Sequence, residues 1–345
     1  MKAGVLKGIE DLSIVEVDKP EPREGEVLIE VKACAICGTD IKVYHYGHKL
    51  IRFPRITGHE VSGIIVEKGK KIENWKVGER VMISPVIPCG SCFYCQRGWQ
   101  SMCNDLTAIG YQYDGGFAQF MIVPEKGVRN GCVHKIPEGL SFEEAALAEP
   151  LACVINGQEL SKIRLGDIVL IIGSGPIGCL HTELAKLNGA SLVILADLEE
   201  ERLKLAQFTG ADFFINCSVE DIKERVGEIT KGHMADRVIV AAGSGKAQED
   251  SLPLVAKMGS INFFGGLPKK SPNITFNSNL LHYGEFFVVG THGSTPYHNE
   301  IALSLISGGK IKIKNYISHR LPLKNLLEGL KLAEERKSLK IIILP

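Results

Sequence analysis

Four cysteines stand close together in the segment CGSCFYCQRGWQSMC: Cys89, Cys92, Cys95 and Cys103, with two-residue gaps between the first three. That spacing can wrap four thiolates around one tetrahedral ion at metal–sulfur distances of about 2.3 Å, and four protein ligands leave no position open for chemistry. A structural zinc is the expectation; the competing arrangement, a pair of disulfides, belongs to oxidising compartments. A second set of ligand types is dispersed: Cys37 in CGTD, His59 and Glu60 in TGHE, and Glu149 in AEPLA. Alone, each is ordinary, since a lone histidine is more often a core residue and a glutamate before proline a solvated turn. Together, a thiolate, a neutral imidazole and one carboxylate supply the three ligands and open position of a catalytic zinc, and balance its charge. Either Glu60 or Glu149 can complete the set.

A third group points to a nucleotide. Gly173, Gly175 and Gly178 form a GxGxxG pattern, with Pro176 and Ile177 between the last two, directly after the apolar run IVLII. The first glycine permits a tight turn, the second a close approach of pyrophosphate to the backbone, and the third the packing of helix on strand. The helix N-terminus then faces the anion. Asp197 ends the next apolar run, about 20 residues on, where a carboxylate accepts hydrogen bonds from the ribose hydroxyls of NAD and repels the 2′-phosphate of NADP. Leu198 follows it, where a phosphate binder favours Arg or a small residue, and Arg202 completes the cofactor-binding candidates. The alternative is a glycine turn of the same fold that binds no nucleotide.

These residues need elements to hold them. Up to about residue 150 the pattern is short alternating strands broken by Gly and Pro, among them LSIVEV, EVLIEVKACAI, EVSGIIVEKG, RVMIS and FAQFMIV. From about Asp167 it changes to strands alternating with helices: IVLIIG, a helix over PIGCLHTELAKLNG, SLVILAD, a helix over EEERLKLAQFTG, FFIN, a helix near VEDIKERVGEI, RVIVAAG, a helix near AQEDSLPLVAKMG, SINFFGG and EFFVVGT. The fold class is therefore α/β, with a β-rich domain followed by a doubly wound parallel sheet. A chain of 345 residues exceeds the about 250–300 residues one core sustains. The expected divisions are 1–152, a domain carrying both metal sites; 153–292, the nucleotide-binding domain; and 293–345, with helices near EIALSLISGG and LKNLLEGLKLAEER and a closing strand LKIIIL, returning to the first.

Lys+Arg and Asp+Glu balance at 40 each, so no global field draws the protein to nucleic acid or anionic lipid. No apolar run is long enough to span a bilayer, and the first residues lack a signal pattern. A soluble cytoplasmic protein with a small neutral partner is expected. Cys34, Cys132, Cys153, Cys179 and Cys217 stand singly in apolar or helical surroundings and read as reduced core residues.

With GEVLIEVKACAICGTD, TGHEVSG, VGERV, the four cysteines, DGGFAQF, AEPLA, GSGPIG and HRLPL in place, the chain resembles, over essentially its full length, the zinc-containing medium-chain dehydrogenase/reductase family, especially its sorbitol and other polyol dehydrogenases. The resemblance implies a GroES-like catalytic domain, a Rossmann domain, and a cleft where nicotinamide meets the catalytic zinc. It implies two Zn2+ per chain, one catalytic and one structural, and NAD as hydride acceptor. By matching positions Cys37, His59 and either Glu60 or Glu149 ligate the catalytic zinc. Thr39 matches the hydroxyl that takes the substrate proton, although a Thr in GTD also suits a turn cap. Many relatives carry a histidine three residues after that hydroxyl as outer proton shuttle; this chain has Lys42, so Glu149 with water, or His45, becomes the expected route.

Residues 44–55, YHYGHKLIRFPR, match the loop bordering the family's substrate pocket, and Thr291, His292 and Ser294 lie beyond the last strand of the parallel sheet. The polar wall suits a polyol, while sorbitol dehydrogenases place an Arg-Tyr pair near Thr291 and His292 that is missing here. The basic loop residues His45, His48, Lys49, Arg52 and Arg55 keep a polyol phosphate as an alternative, with threonine dehydrogenase or a non-catalytic NAD- and zinc-binding protein behind it. The family's habit of pairing Rossmann sheets near Phe286 and Val288 implies a homodimer or homotetramer.

Overall fold

The alternating stretch VLIEVKACA becomes the strand Val27–Ala35, and EVSGIIVEK becomes its antiparallel neighbour Glu60–Lys68. They form the middle of a sheet whose strands run in the order Val133–Lys135, Arg80–Ile83, Glu60–Lys68, Val27–Ala35, Lys340–Leu344, Ile317–Pro322, with Phe120–Val123 also paired to Val27–Ala35. One face buries Val27, Ile29, Val31, Val61 and Ile65 with Ile341 and Ile343 from the chain's end. Full burial of side chains of this size contributes about 1.5–3 kcal/mol each. The terminal strand is thus central: Ile342 lies opposite Ala35 and Ile343 opposite Cys34. That register carries Lys340 beneath the segment that follows Val27–Ala35.

The computed structural model describes every residue, Met1–Pro345. Its contacts divide into Met1–Ala152 together with Gly293–Pro345, and Cys153–His292.

In the second unit six parallel strands lie in the spatial order Phe213–Asn216, Leu192–Asp197, Ile168–Ile172, Ala235–Val240, Val255–Phe263, Phe287–Gly290. Numbered by appearance, that is third, second, first, fourth, fifth, sixth, the doubly wound arrangement expected. Strand order reverses beside Ile168–Ile172, so the turn after it, Gly173–Gly178, sits at the switch point where such sheets bind ligands.

One expected helix is shorter than its pattern. The segment near Ala247–Gly259 is helical only over Gly245–Ser251; a single 3-10 turn follows at Leu252–Leu254, and Val255 already begins the fifth strand opposite Ala235. Pro253 has no N–H to continue the ladder, and β-branched Val255 takes the pleated surface offered by its neighbour. The sixth strand is the sheet's edge, and there Phe286 is buried while Phe287 and Val288 are exposed. No helix is long and apolar enough to cross a membrane.

Candidate active site

Cys37 is the N-cap of the helix Gly38–Tyr46, held by a reciprocal cap: its own N–H donates to Asp40 Oδ2 at 2.9 Å, and the Thr39 N–H donates to Cys37 Sγ at 3.5 Å. His59 and Glu60 arrive on the adjoining chain, at the start of Glu60–Lys68. The ligand atoms of Cys37, His59 and Glu60 all lie within 4.8 Å of one another. Asp40 also stands 3.5 Å from His59 Nδ1, which orients the ring and leaves Nε2 for a metal. Burial works against a charged imidazole here, but the neighbouring Asp40 and Cys37 hold the His59 pKa well above its usual value.

Glu60 is fully buried, and so is its partner Lys340 at 5% exposure. The ammonium lies 2.6 Å from Oε1 and 2.5 Å from Oε2 and also donates to the Ile36 carbonyl at 3.0 Å. Only Oε1 is aligned for a hydrogen bond; Oε2 is buried without one. A buried carboxylate oxygen without an aligned hydrogen bond, beside a thiolate and an imidazole, is what a divalent cation would satisfy, so the donor set fits zinc. Burial opposes the charge on Lys340, yet Glu60 and Cys37 raise its pKa.

Glu149, second residue of the helix Ala148–Ser161, is buried but lies outside that close cluster. Its charge still acts on Lys340 and on Tyr111. Thr39 is half-buried next to Cys37, and Lys42 is exposed on the same helix. His45 is drawn elsewhere: Nδ1 lies 2.7 Å from Glu10 and Nε2 3.2 Å from Glu334. The hydrogen bond to Glu10 raises its pKa, against burial and with help from Glu334. Carboxylates face both ring nitrogens, so His45 ties the helix to its neighbours. Arg55 is likewise neutralised, by Asp114 at 2.8 Å.

Three residues near the cluster escape sequence reasoning. Asp40 was within reach, because Cys37-x-x-Asp40 has the reciprocal spacing of a capping box. Lys340, nearly three hundred residues from Glu60, gives no local signal. Tyr111 sits with its ring 6.1 Å from that of His59 and 5.1 Å, edge-on, from that of His48. Burial, together with the carboxylates and thiolate nearby, pushes its phenol pKa up to about 12 against the opposing effect of His59, so at neutral pH it remains a donor.

In the other cysteine group all four sulfurs lie within 4.8 Å of one another. The separations Cys92–Cys95 of 3.5 Å, Cys92–Cys103 of 3.8 Å and Cys89–Cys95 of 3.9 Å are far beyond a disulfide bond. They match the roughly 3.8 Å edge of a tetrahedron built from bonds of about 2.3 Å. Hydrogen bonds from backbone at Ser91 and Cys92 lower the Cys89 pKa to about 6, favouring the thiolate over the opposing burial. All ten cysteines are free thiols, and Cys34, Cys132 and Cys179 are buried.

In the second unit the glycine turn leads into the helix Pro176–Leu187 with Gly175 as N-cap. Gly173 has φ of 108°, and a Cβ on Gly178 would collide with the Gly173 carbonyl. A Cβ on Gly175 would meet the Arg202 guanidinium, so bare backbone, helix N-terminus and a cation converge where a pyrophosphate fits. Asp197 Oδ2 accepts from the Ser174 N–H and hydroxyl at 2.6 and 2.8 Å, and Oδ1 from the Leu198 and Glu199 N–H groups. The carboxylate is therefore fixed at the lip of the glycine turn.

Comparison with known proteins adds the following. Residues 23–138 match the alcohol dehydrogenase GroES-like domain, and residues 176–308 match the zinc-binding dehydrogenase domain. The chain is 34% identical over 332 residues to sorbitol dehydrogenase of Halalkalibacterium halodurans, covering 95% of this chain and 94% of that one. It is 37% identical over 311 residues to L-threonine 3-dehydrogenase of Pyrococcus furiosus, covering 89% and 87%. Among solved structures, a zinc-binding dehydrogenase from Sinorhizobium meliloti 1021 bound to NADP superposes with a TM-score of 0.91 at 32% identity, covering 100% of this chain and 99% of that one.

Proposed function

The chain belongs to the zinc-containing medium-chain dehydrogenase/reductase family, as a zinc-dependent oxidoreductase acting on alcohols with a nicotinamide cofactor, and on that premise we propose that it oxidises one secondary alcohol of a polyol with NAD. The observation that carries the reading is the cluster of half-buried Cys37 with buried His59 and Glu60, whose donors fit a cation while thiolate and carboxylate leave its charge only just balanced. In this reading Cys37, His59 and a carboxylate hold the catalytic zinc, Glu60 being the carboxylate already in the cluster and Glu149 the nearby reserve. Cys89, Cys92, Cys95 and Cys103 hold a second, structural zinc. When bound, the catalytic ion acts as a Lewis acid that lowers the pKa of the alcohol. Thr39 Oγ1 accepts the substrate's hydroxyl proton as it gives up its own, and Glu149 with water carries that proton outward, since Lys42 is exposed and His45 is paired. Asp40 keeps the His59 ring in place throughout.

A polyol fits better than its phosphate. Of the five basic residues in the loop, His45 and Arg55 already face carboxylates, and Lys49 and Arg52 are exposed. A loop carrying His48, Lys49 and Arg52 without acids also disfavours the ammonium group of threonine. The test is NADH formation across sorbitol, xylitol, galactitol, their phosphates, threonine and simple secondary alcohols, with and without a zinc chelator. Chelator-sensitive oxidation of free polyols is expected; turnover of phosphates or threonine alone would refute the polyol assignment.

Asp197 supports NAD as the acceptor, because a carboxylate fixed at the glycine turn would face the ribose and repel a 2′-phosphate. The wild type is expected to favour NAD over NADP by at least about tenfold in kcat/KM, which corresponds to ~1.4 kcal/mol. Asp197→Ser should narrow that ratio mainly by improving NADP. Equal use of both cofactors by the wild type would exclude this role.

A further inference from the structure

We propose that the Tyr111 hydroxyl is the specificity-determining group that binds the substrate hydroxyl adjacent to the one being oxidised, so that the site selects vicinal diols and polyols over simple alcohols. This rests on the polyol reading above and names the contact that enforces it.

Tyr111 follows the short strand Thr107–Ala108 and a turn at Gly110, whose φ of 79° suits glycine. The turn is tight against the chain that delivers His59, for a Cβ on Gly110 would press on the Gly58 carbonyl. Tyr111 is therefore positioned by the same strand ends that build the metal cluster. Its ring packs edge-on to His48 at 5.1 Å and leans toward His59 at 6.1 Å. His48 is itself held by the Leu50 N–H, which donates to Nδ1 at 3.3 Å. The phenol is thus held on two sides by imidazoles, one of them a metal ligand.

The hydroxyl is what sets this residue apart. A largely buried tyrosine ordinarily finds a partner for its O–H. Tyr44, for example, donates to the Glu10 carbonyl at 3.3 Å. The Tyr111 hydroxyl makes no hydrogen bond within the chain, and it is not sealed from solvent. A donor that the fold leaves unpaired beside a reaction centre has its partner supplied by the ligand. A polyol brings such a partner on the carbon next to the reacting one, and a simple secondary alcohol brings a methylene, which leaves the phenol unpaired. A site built this way discriminates against the analogue that lacks the hydroxyl.

The experiment compares 2,3-butanediol with 2-butanol, which differ by that one hydroxyl, and adds sorbitol, for the wild type and Tyr111→Phe. The expected result is that kcat/KM for the diol and for sorbitol falls about tenfold further than that for 2-butanol, most of it in KM, as for loss of one hydrogen bond. Zinc content per chain should be the same in both proteins, which separates a lost contact from a damaged metal site. Equal losses on both alcohols, or none on either, would overturn the inference while leaving the polyol reading intact. A wild type that turns over 2-butanol and no diol or polyol would overturn both.

Discussion

Cys37→Ala is expected to lower kcat at least about a thousandfold, a loss of ~4 kcal/mol in transition-state stabilisation, and to reduce the zinc content from two ions per chain to one. Cys37 is the thiolate of the cluster, placed at a helix N-terminus where the Thr39 N–H meets its sulfur. On the proposed reading, alanine removes a metal ligand and a side-chain cap together. The cap is worth about 1 kcal/mol to the helix, too little to unfold a unit with so extensive a core. The second ion should stay, because Cys89, Cys92, Cys95 and Cys103 form a separate cluster. Steady-state kinetics and metal analysis on one preparation decide the matter. Retention of both ions with activity near wild type would remove Cys37 from the site; loss of both would show that the two clusters fold as one.

The parts of this picture that could be read from sequence are those encoded locally. The Gly173–Gly178 turn is legible because each glycine has its own steric reason and because strand and helix flank it within a few residues. The cysteine lobe is legible because its ligand spacing is short. His59 and Glu60 were visible as ligand types, but their meeting with Cys37 depends on the register of Val27–Ala35 against Glu60–Lys68, in which Ala35 lies opposite Glu60. Composition carries no trace of that register. His45 shows the converse: its residue type suits a shuttle, and only the fold reveals Glu10 and Glu334 closing on both nitrogens. At Ala247–Gly259 the helical pattern ran on past Pro253, where covalent geometry and an available strand partner ended it. Lys340 lies beyond any local rule, because its role is created when the last strand of the chain slots against Val27–Ala35.

That last strand therefore does more than close a sheet, and Lys340→Met is expected to destabilise the unit it belongs to by about 3–5 kcal/mol, the cost of leaving one member of a buried ion pair without its partner. Methionine fills a similar volume, so the loss reports charge rather than packing. Glu60 is fully buried, and its Oε2 already lacks a hydrogen bond; without the ammonium, Oε1 would lose its donor as well. On the proposed reading, a bound cation and Lys340 act on the same carboxylate. The loss should accordingly be larger in protein stripped by a chelator than in zinc-loaded protein, where the ion supplies part of the missing positive charge. Adding Glu60→Gln to Lys340→Met removes the stranded charge and should recover most of the stability. Denaturant titration of the wild type, the single variant and the double variant, each with and without zinc, gives the comparison. A single variant as stable as the wild type, or a loss that zinc does not reduce, would mean that Glu60 draws its compensation from a group other than the lysine of the terminal strand.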